Sequence, residues 1–345
     1  MIFLDAFAGG GLGRLGMEQA GWECAGYIEI DKYARQAYKA YFDTSGEWMC
    51  HDIRTADPVS MPGFDCLLGG WPCQDSSVAG LRRGLEGDQS SLVFEYVRIL
   101  RSKKPRYFIA EQPLGLYITN RRDFYTVIEA FAGAGYDVQW QILNTAAYLP
   151  QNRERFYFVG HLIGAVPRPQ IFPIKGDDSL PAQPTADKQE SQVANCLTVR
   201  QESRDNHGAR TLVVIQDRHE LRLHKTLNST PALKARMGTG GNNMPMIVQR
   251  SQSGTRRSPT CGTLRCEASR SSNFTVEDGD RLRRLTPREC FRLQGAPEDY
   301  IDTVTSAGIS DMQLYKIAGN AMSVPVVYEI ARRLRASMQI EGDSR

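Results

Sequence analysis

Hydrophobic and polar positions over the first 160 residues alternate between two kinds of segment. Short apolar runs at 2–5, 24–30, 64–68, 106–110, 136–143 and 156–159 read as strands. The segments 14–20, 33–42, 90–103 and 122–132 read as helices between them. In 90–103, Ser90 is placed to cap, and apolar residues follow at 92, 93, 96, 97, 99 and 100. Strand–helix alternation at this spacing predicts an α/β fold, a doubly wound and mostly parallel sheet with helices on both faces. Ligands of such sheets sit beyond the carboxyl ends of the strands, so the loops there are where chemistry is expected.

Past residue 165 the periodicity weakens and Pro, Gly, Ser, Thr and Asn accumulate, with short β-like pieces at 211–216 and 246–249. A weak echo runs through 196–200, 232–236 and 262–265. Its irregular spacing indicates loop-and-strand units rather than a solenoid. From 281 the pattern tightens into helices at 287–294, 311–317 and 326–337, with a turn at 318–321. The 345 residues suit two domains. The division expected is a first domain formed by 1–165 plus 305–340, discontinuous in sequence, and a smaller loop- and β-rich domain with a hinge over 166–304.

Composition is that of an ordinary globular chain, with 41% hydrophobic and 23% charged residues, which excludes a disordered or fibrous protein. The net charge of +3 argues against a histone-like polycation, but the sum conceals an asymmetry. Residues 191–275 hold thirteen Lys and Arg against five Asp and Glu, a net of +8, and the rest of the chain carries −5. Eleven of the thirteen are arginine, whose planar fork suits phosphates and guanine edges. Eight cysteines without a CxxC pair argue against a disulfide framework and a zinc site, so no metal is expected. No run of 18 apolar residues occurs, and the apolar start is too short for a secretory leader. A cytoplasmic chain with reduced thiols and no membrane contact is the expectation.

Four loops carry the candidate chemistry. Asp5-Ala6-Phe7-Ala8-Gly9-Gly10-Gly11, between the first strand and helix, lets a ligand approach the backbone and a helix N-terminus. Glu29, ending the second strand, can take two ribose hydroxyls, and Asp52-Ile53 can meet an adenine amino group; together these point to an adenosine-bearing cofactor. In Gly69-Gly70-Trp71-Pro72-Cys73-Gln74, the cysteine follows a conformation-fixing proline among polar neighbours, where a nearby arginine would favour the thiolate. Glu111, in Ala110-Glu111-Gln112-Pro113, stands on the strand rim as a candidate acid. Arg153 and Arg155, two apart in Gln151-Asn152-Arg153-Glu154-Arg155, face one side of a strand and can address one substrate or one acidic neighbour.

In this order, and with Arg284-Leu285-Thr286-Pro287-Arg288-Glu289 and Gly319-Asn320-Ala321-Met322-Ser323-Val324-Pro325 further on, the chain resembles the cytosine-5 DNA methyltransferases of prokaryotes and phages. The likeness covers roughly 1–160 and 280–335. The stretch 165–280 matches only in position and character, as a variable target-recognition region. The resemblance implies an S-adenosylmethionine-dependent, Rossmann-like enzyme that acts on double-stranded DNA. The target cytosine is flipped out. Cys73 attacks C6, Glu111 protonates N3, Arg155 binds the base oxygen and helps hold Glu111, and Arg153 supports the site. C5 then takes the methyl group and S-adenosylhomocysteine is the product. The resemblance also puts Phe7, Gly9, Gly11, Leu12, Glu29, Asp52, Ile53, Asn320 and Ser323 around the cofactor. It implies a monomer and leaves room for a companion restriction endonuclease.

Three departures stand out. Gln112-Pro113 replaces the family's Asn-Val, whose asparagine braces the Pro-Cys loop; Leu12 stands where a glycine is common, with an extra glycine at 10; and His51 replaces a glycine. Two other readings use the same residues: an RNA cytosine-5 methyltransferase, and a catalytically impaired DNA-binding homologue. A third, an NAD-linked cysteine enzyme, shares the glycine-rich turn but leaves the 284–289 block without a purpose. Base readout falls to the insert, with Thr211, Arg236, Arg257 and Thr263 as candidates.

Overall fold

The computed structural model describes residues 1–72, 92–114, 116, 121–164, 169–174, 198–202, 210–214, 247–251, 254–258, 274–278 and 281–342; for the strands between 198 and 284, and for 338–342, it describes the backbone. Seven strands form the main sheet: β1 (Ile2–Ala6), β2 (Glu23–Ile28), β3 (Trp48–Cys50), β4 (Cys66–Gly69), β5 (Tyr107–Pro113), β6 (Tyr136–Asn144) and β7 (Glu154–Leu162). Their order is β3-β2-β1-β4-β5-β7-β6, parallel throughout except that β7 runs antiparallel to both β5 and β6. The α/β, mostly parallel architecture is therefore as expected from the pattern.

The reversal of β7 follows from its short link to β6. Residues 145–153 are too few for a crossover, so the chain turns back as a hairpin. Asn144 pins the turn: its Oδ1 accepts from the backbone of Ala146 and Arg153. The start of β7, rather than its end, consequently lies beside the carboxyl end of β5, with Pro113 opposite Arg155.

Helices α1 (Leu12–Gln19), α2 (Lys32–Tyr41), α3 (Leu92–Lys103) and α4 (Arg121–Gly133) follow β1, β2, β4 and β5. The central strands β4 and β5 are apolar and buried along almost their whole length, as strands covered on both faces must be. One face packs under α3 and α4 through Val97, Leu100, Phe108, Phe131 and Phe158, the Phe108 and Phe131 rings lying 4.5 Å apart. The other face meets the last helix, α8 (Val324–Gly342), through Val327, Ile330 and Leu334. Trp22 Nε1 and Arg335 Nη1 stitch α8 to the first αβ unit by donating to the carbonyls of Ala331 and Ala20.

Preceding α8 in the chain are α5 (Pro287–Leu293), α6 (Glu298–Ser306) and α7 (Asp311–Asn320). The Thr286-Pro287-Arg288-Glu289 sequence is a capping box: Thr286 Oγ1 accepts from the Glu289 amide, and the Glu289 carboxylate accepts from the Thr286 amide at 2.7 Å. Phe291, Tyr300, Ile301, Ile317 and Ala318 pack against Leu12, Tyr27, Ala37 and Tyr38, so these helices lie on the first two αβ units. The sequence pattern does not reveal β3 or α6, and the expected turn at 318–321 is helical through Asn320. The remaining strands form a two-stranded antiparallel sheet, β8 (Thr198–Glu202) with β9 (Arg210–Val214). They also form a four-stranded sheet in the order β11-β10-β12-β13: β10 (Ile247–Ser251), β11 (Gly254–Ser258), β12 (Phe274–Asp278) and β13 (Arg281–Arg284).

Candidate active site

At the carboxyl end of β1 the chain enters two left-handed turns. Phe7 has φ 56°, a conformation a bulky L-residue rarely adopts, and Gly9 and Gly11 have φ 57° and 90°. A strained non-glycine residue at a strand end marks a functional loop. The loop's backbone is held from several directions. Ala8 N–H donates to Ile28 O, Gly11 N–H to Ala8 O, and Gly9 N–H to Glu29 Oε2 at 2.7 Å. A side chain at Gly9 would meet nothing within 4 Å, so open space lies over the loop at the N-terminus of α1.

Glu29 holds the loop with one oxygen and takes the Asp31 amide on the other, at 2.7 Å. Burial pushes its carboxyl up, opposed by these two backbone hydrogen bonds. Asp31 caps α2 through Tyr33 and Ala34 and receives Lys316 Nζ at 2.6 Å. Burial works against its charge, but Lys316 and the helix amides outweigh burial and hold its carboxyl below the usual range. An open cradle with positive-φ glycines, a helix N-terminus and a carboxylate fixed at its edge fits an adenosine-bearing cofactor.

The other residues expected around that cofactor fall as follows. Leu12 opens α1 with its side chain in the apolar cluster, leaving its backbone toward the loop. Asp52 and Ile53 follow β3, the edge strand missed in the sequence. The Asp52 carboxylate is gripped by Arg54 at 2.6 Å, which holds it below the usual range, and Ile53 is buried. Asn320 is exposed at the end of α7, while Ser323 is fully buried with no partner for its hydroxyl among the described residues.

The second rim carries Glu111, 7% exposed on β5. Arg155 Nε lies 3.0 Å from its Oε1 and Arg153 Nη2 3.8 Å from the same atom. Glu111 Oε1 takes no aligned hydrogen bond among the described residues, so the pairing is electrostatic. Sequence reasoning left open whether the arginines served a substrate or an acidic neighbour; they converge on Glu111, while Glu154 gives Arg155 its backbone carbonyl and a weaker electrostatic contact.

Arg153 does more than accompany Glu111. Its Nη1 and Nη2 donate to Gly319 O at 3.2 Å and Ala321 O at 2.8 Å, fastening both flanks of Asn320 to the start of β7. Burial and the neighbouring Arg155 depress its pKa to about 10, with Glu111 opposing. Tyr157 stands opposite Glu111 on β7, fully buried; burial and the Glu111 charge push its hydroxyl pKa up, with the two arginines and the Ser323 backbone opposing. The sequence reading missed Tyr157, although its position two residues beyond Arg155 on one strand face was the available signal.

Gln112 resolves one departure. Fully buried, it donates from Nε2 to Trp71 O at 2.8 Å, so the longer amide holds the loop that leads to position 73. Cys73 itself lies outside the described residues, as do Arg236 and Thr263. Thr211 on β9 and Arg257 on β11 are described by backbone alone.

Residues 1–336 match the model of the family described as C-5 cytosine-specific DNA methylase. Among curated relatives, the chain is 32% identical over 343 residues to the Type II methyltransferase M.Bsp6I of Bacillus sp. (strain RFL6), with 96% of this chain and 98% of that one covered. It is 34% identical over 334 residues to the Type II methyltransferase M.NgoBI of Neisseria gonorrhoeae, covering 96% and 92%. The fold is similar to that of S. pombe Dnmt2 methyltransferase (TM-score 0.58, 17% identity, 98% and 99% covered). It is also similar to the Entamoeba histolytica methyltransferase EhMeth (TM-score 0.60, 14% identity, 98% of each).

Proposed function

Because the chain belongs to the C-5 cytosine-specific DNA methylase family, we propose that it methylates C5 of a specific cytosine in duplex DNA through a covalent adduct at Cys73. The observation that carries this reading is the rim group. Glu111 is buried against Arg153 and Arg155, and the adjoining Gln112 is tied to Trp71, two residues before Cys73.

The roles follow from the chemistry. Unactivated C5 of cytosine is a poor nucleophile. Addition of the Cys73 thiolate to C6, with Glu111 delivering a proton to N3, converts the C5–C6 double bond into an enamine with electron density at C5. Arg155, 3.0 Å from Glu111, is suited to hold the acid and to donate to the base oxygen. Once C5 carries the methyl group, loss of its proton to a base, expulsion of Cys73 as the thiolate and return of the N3 proton to Glu111 restore the ring. A cytosine stacked in a duplex is out of reach of such a buried acid, so the base must leave the helix.

S-adenosylmethionine is the cofactor this reading requires; when bound it supplies the methyl group and departs as S-adenosylhomocysteine. Phe7, Gly9, Gly11 and the backbone of Leu12 would line its methionine and adenosine parts. Glu29 would take the ribose, Asp52 and Ile53 the adenine, and Asn320 and Ser323 would close the pocket. The arginine-rich insert supplies the DNA contact, and we assign it to a recognition domain within 166–304. The Type II naming of the relatives supports a companion restriction endonuclease. Among the described residues no helix is long and apolar enough to cross a membrane.

The test is a trap. Duplex DNA carrying 5-fluorocytosine at its target sites cannot lose the C5 substituent, so with S-adenosylmethionine it should form an adduct stable to denaturing electrophoresis. Cys73→Ala should abolish the adduct and turnover while DNA binding persists. An adduct that forms without Cys73, or turnover near wild type in the variant, would overturn the assignment.

A further inference from the structure

The glycine at position 10, a departure from the family pattern, has a specific neighbour. Tyr300 is fully buried on α6, and its hydroxyl donates to Gly10 O at 2.7 Å across 290 residues of sequence. A Cβ at Gly10 would stand 2.8 Å from that hydroxyl and 2.6 Å from Ile317 Cγ2 of α7, closer than packed atoms come. Position 10 must therefore be glycine for the tyrosine to reach the loop. The ring is fixed by edge contacts with Tyr41 and Phe291, at 5.0 and 5.7 Å. Tyr41 is itself bonded to Asp299, beside Tyr300.

The same C-terminal helices reach the other side of the loop. Lys316 of α7 pairs with Asp31, whose amide donates to Glu29, whose second oxygen holds Gly9. Two chains of contact thus run from α6 and α7 to adjacent residues of one loop, one ending on the carbonyl of Gly10 and one on the amide of Gly9.

We propose that Tyr300 is a positioning residue for the cofactor: with Gly10 as its matched partner, it sets the shape of the glycine-rich loop from the C-terminal helices. The inference rests on the reading of that loop as the cofactor site. The hydroxyl fixes the peptide joining Gly10 to Gly11, and so the orientation of the turn that the ligand must meet. Without it, Gly10 O has no other donor among the described residues and the loop can relax away from the binding geometry.

Tyr300→Phe removes one oxygen and keeps the ring. With the full-length protein, titration calorimetry of S-adenosylhomocysteine should show Kd raised about three- to tenfold, the range expected for one buried hydrogen bond. KM for S-adenosylmethionine should rise in step while kcat at saturation stays within about twofold, since the chemistry is untouched. Ile317→Ala is the control, because it removes packing beside Gly10 but leaves the hydroxyl bond. It should lower the melting temperature at least as far as Tyr300→Phe does, with Kd unchanged. Unaltered affinity in Tyr300→Phe would overturn the inference. An equal loss of affinity in Ile317→Ala would also overturn it, by reducing the effect to general destabilisation. Wild-type protein that fails to bind S-adenosylhomocysteine would instead overturn the cofactor reading of the loop, and this inference with it.

Discussion

Arg153 is where the two rims of the site are joined, and its removal has a magnitude that follows from the geometry. Arg153→Ala deletes two hydrogen bonds from a cation to the carbonyls of Gly319 and Ala321 and leaves Glu111 with Arg155 alone. Charge-assisted bonds contribute about 1.5–3 kcal/mol each, so the gross loss is about 3–6 kcal/mol. Against this, the guanidinium is costly to bury: the fall of its pKa from 12.5 to about 10 corresponds to about 3 kcal/mol, recovered when the charge is removed. The net destabilisation expected is therefore about 0–3 kcal/mol, at or below what breaking a buried pair outright costs. The larger effect should be on ligand binding, because the freed carbonyls flank Asn320 and the segment ending in Ser323. Urea denaturation measures the first quantity and calorimetric titration with S-adenosylhomocysteine the second. Arg153→Lys should preserve the charge near Glu111 but not the two-pronged grip, and so should repair stability less than a charge-only account requires. An Arg153→Ala protein that binds S-adenosylhomocysteine with unchanged affinity would refute the claim that this residue fastens the C-terminal turn.

Three other outcomes are expected. Gln112→Leu keeps the bulk but frees Trp71 O. The single-turnover rate should fall about 10- to 100-fold with little change in cofactor affinity, and a normal rate would show that the brace is dispensable. Asp5 is buried beside Arg14, whose charge is already shared by Glu18 and Glu47; burial chiefly, opposed by Arg14 and reinforced by Glu29, raises its carboxyl to about 8. The folded state therefore keeps a proton that the unfolded state releases near pH 4. This contribution to stability is complete below pH 4 and is lost toward pH 8, at up to about 1.4 kcal/mol per pH unit. Asp5→Asn should flatten that decline in denaturation midpoints measured from pH 5 to 8, and parallel wild-type and variant curves would contradict it. Duplex DNA binding should weaken steeply between about 50 and 200 mM salt through counterion release by the arginine-rich insert. A flat response in a filter-binding or anisotropy titration would remove that insert as the DNA face.

Much of this was legible in the chain, for local reasons. The strands are apolar runs, and their carboxyl ends carry the candidate site residues: Phe7 and Gly9 after β1, Glu29 after β2, Trp71 after β4 and Glu111 on β5. What escaped depends on short or distant contacts. The strand β3 has three residues, too few for a period, yet it carries the chain to Asp52. Helix α6 mixes Asp, Thr and Val in a sequence without strong helix propensity, and it is held by Tyr300, Ile301 and Val304 packing on α1 and α2. No pattern within α6 announces that Tyr300 meets Gly10. Gln112 shows the converse: as a letter it was a departure from the family pattern, and in the fold its amide reaches Trp71 O at 2.8 Å.

The most direct measurement is the identity of the product. The chain should be incubated with S-adenosylmethionine labelled in its methyl group, together with duplex DNA and, in parallel, structured RNA. The nucleosides released by digestion are then resolved by mass spectrometry. The account predicts label in 5-methyl-2′-deoxycytidine from the duplex, at one sequence context, and none when Cys73 is alanine. Label confined to RNA, or placed on an exocyclic amine instead of C5, would contradict it.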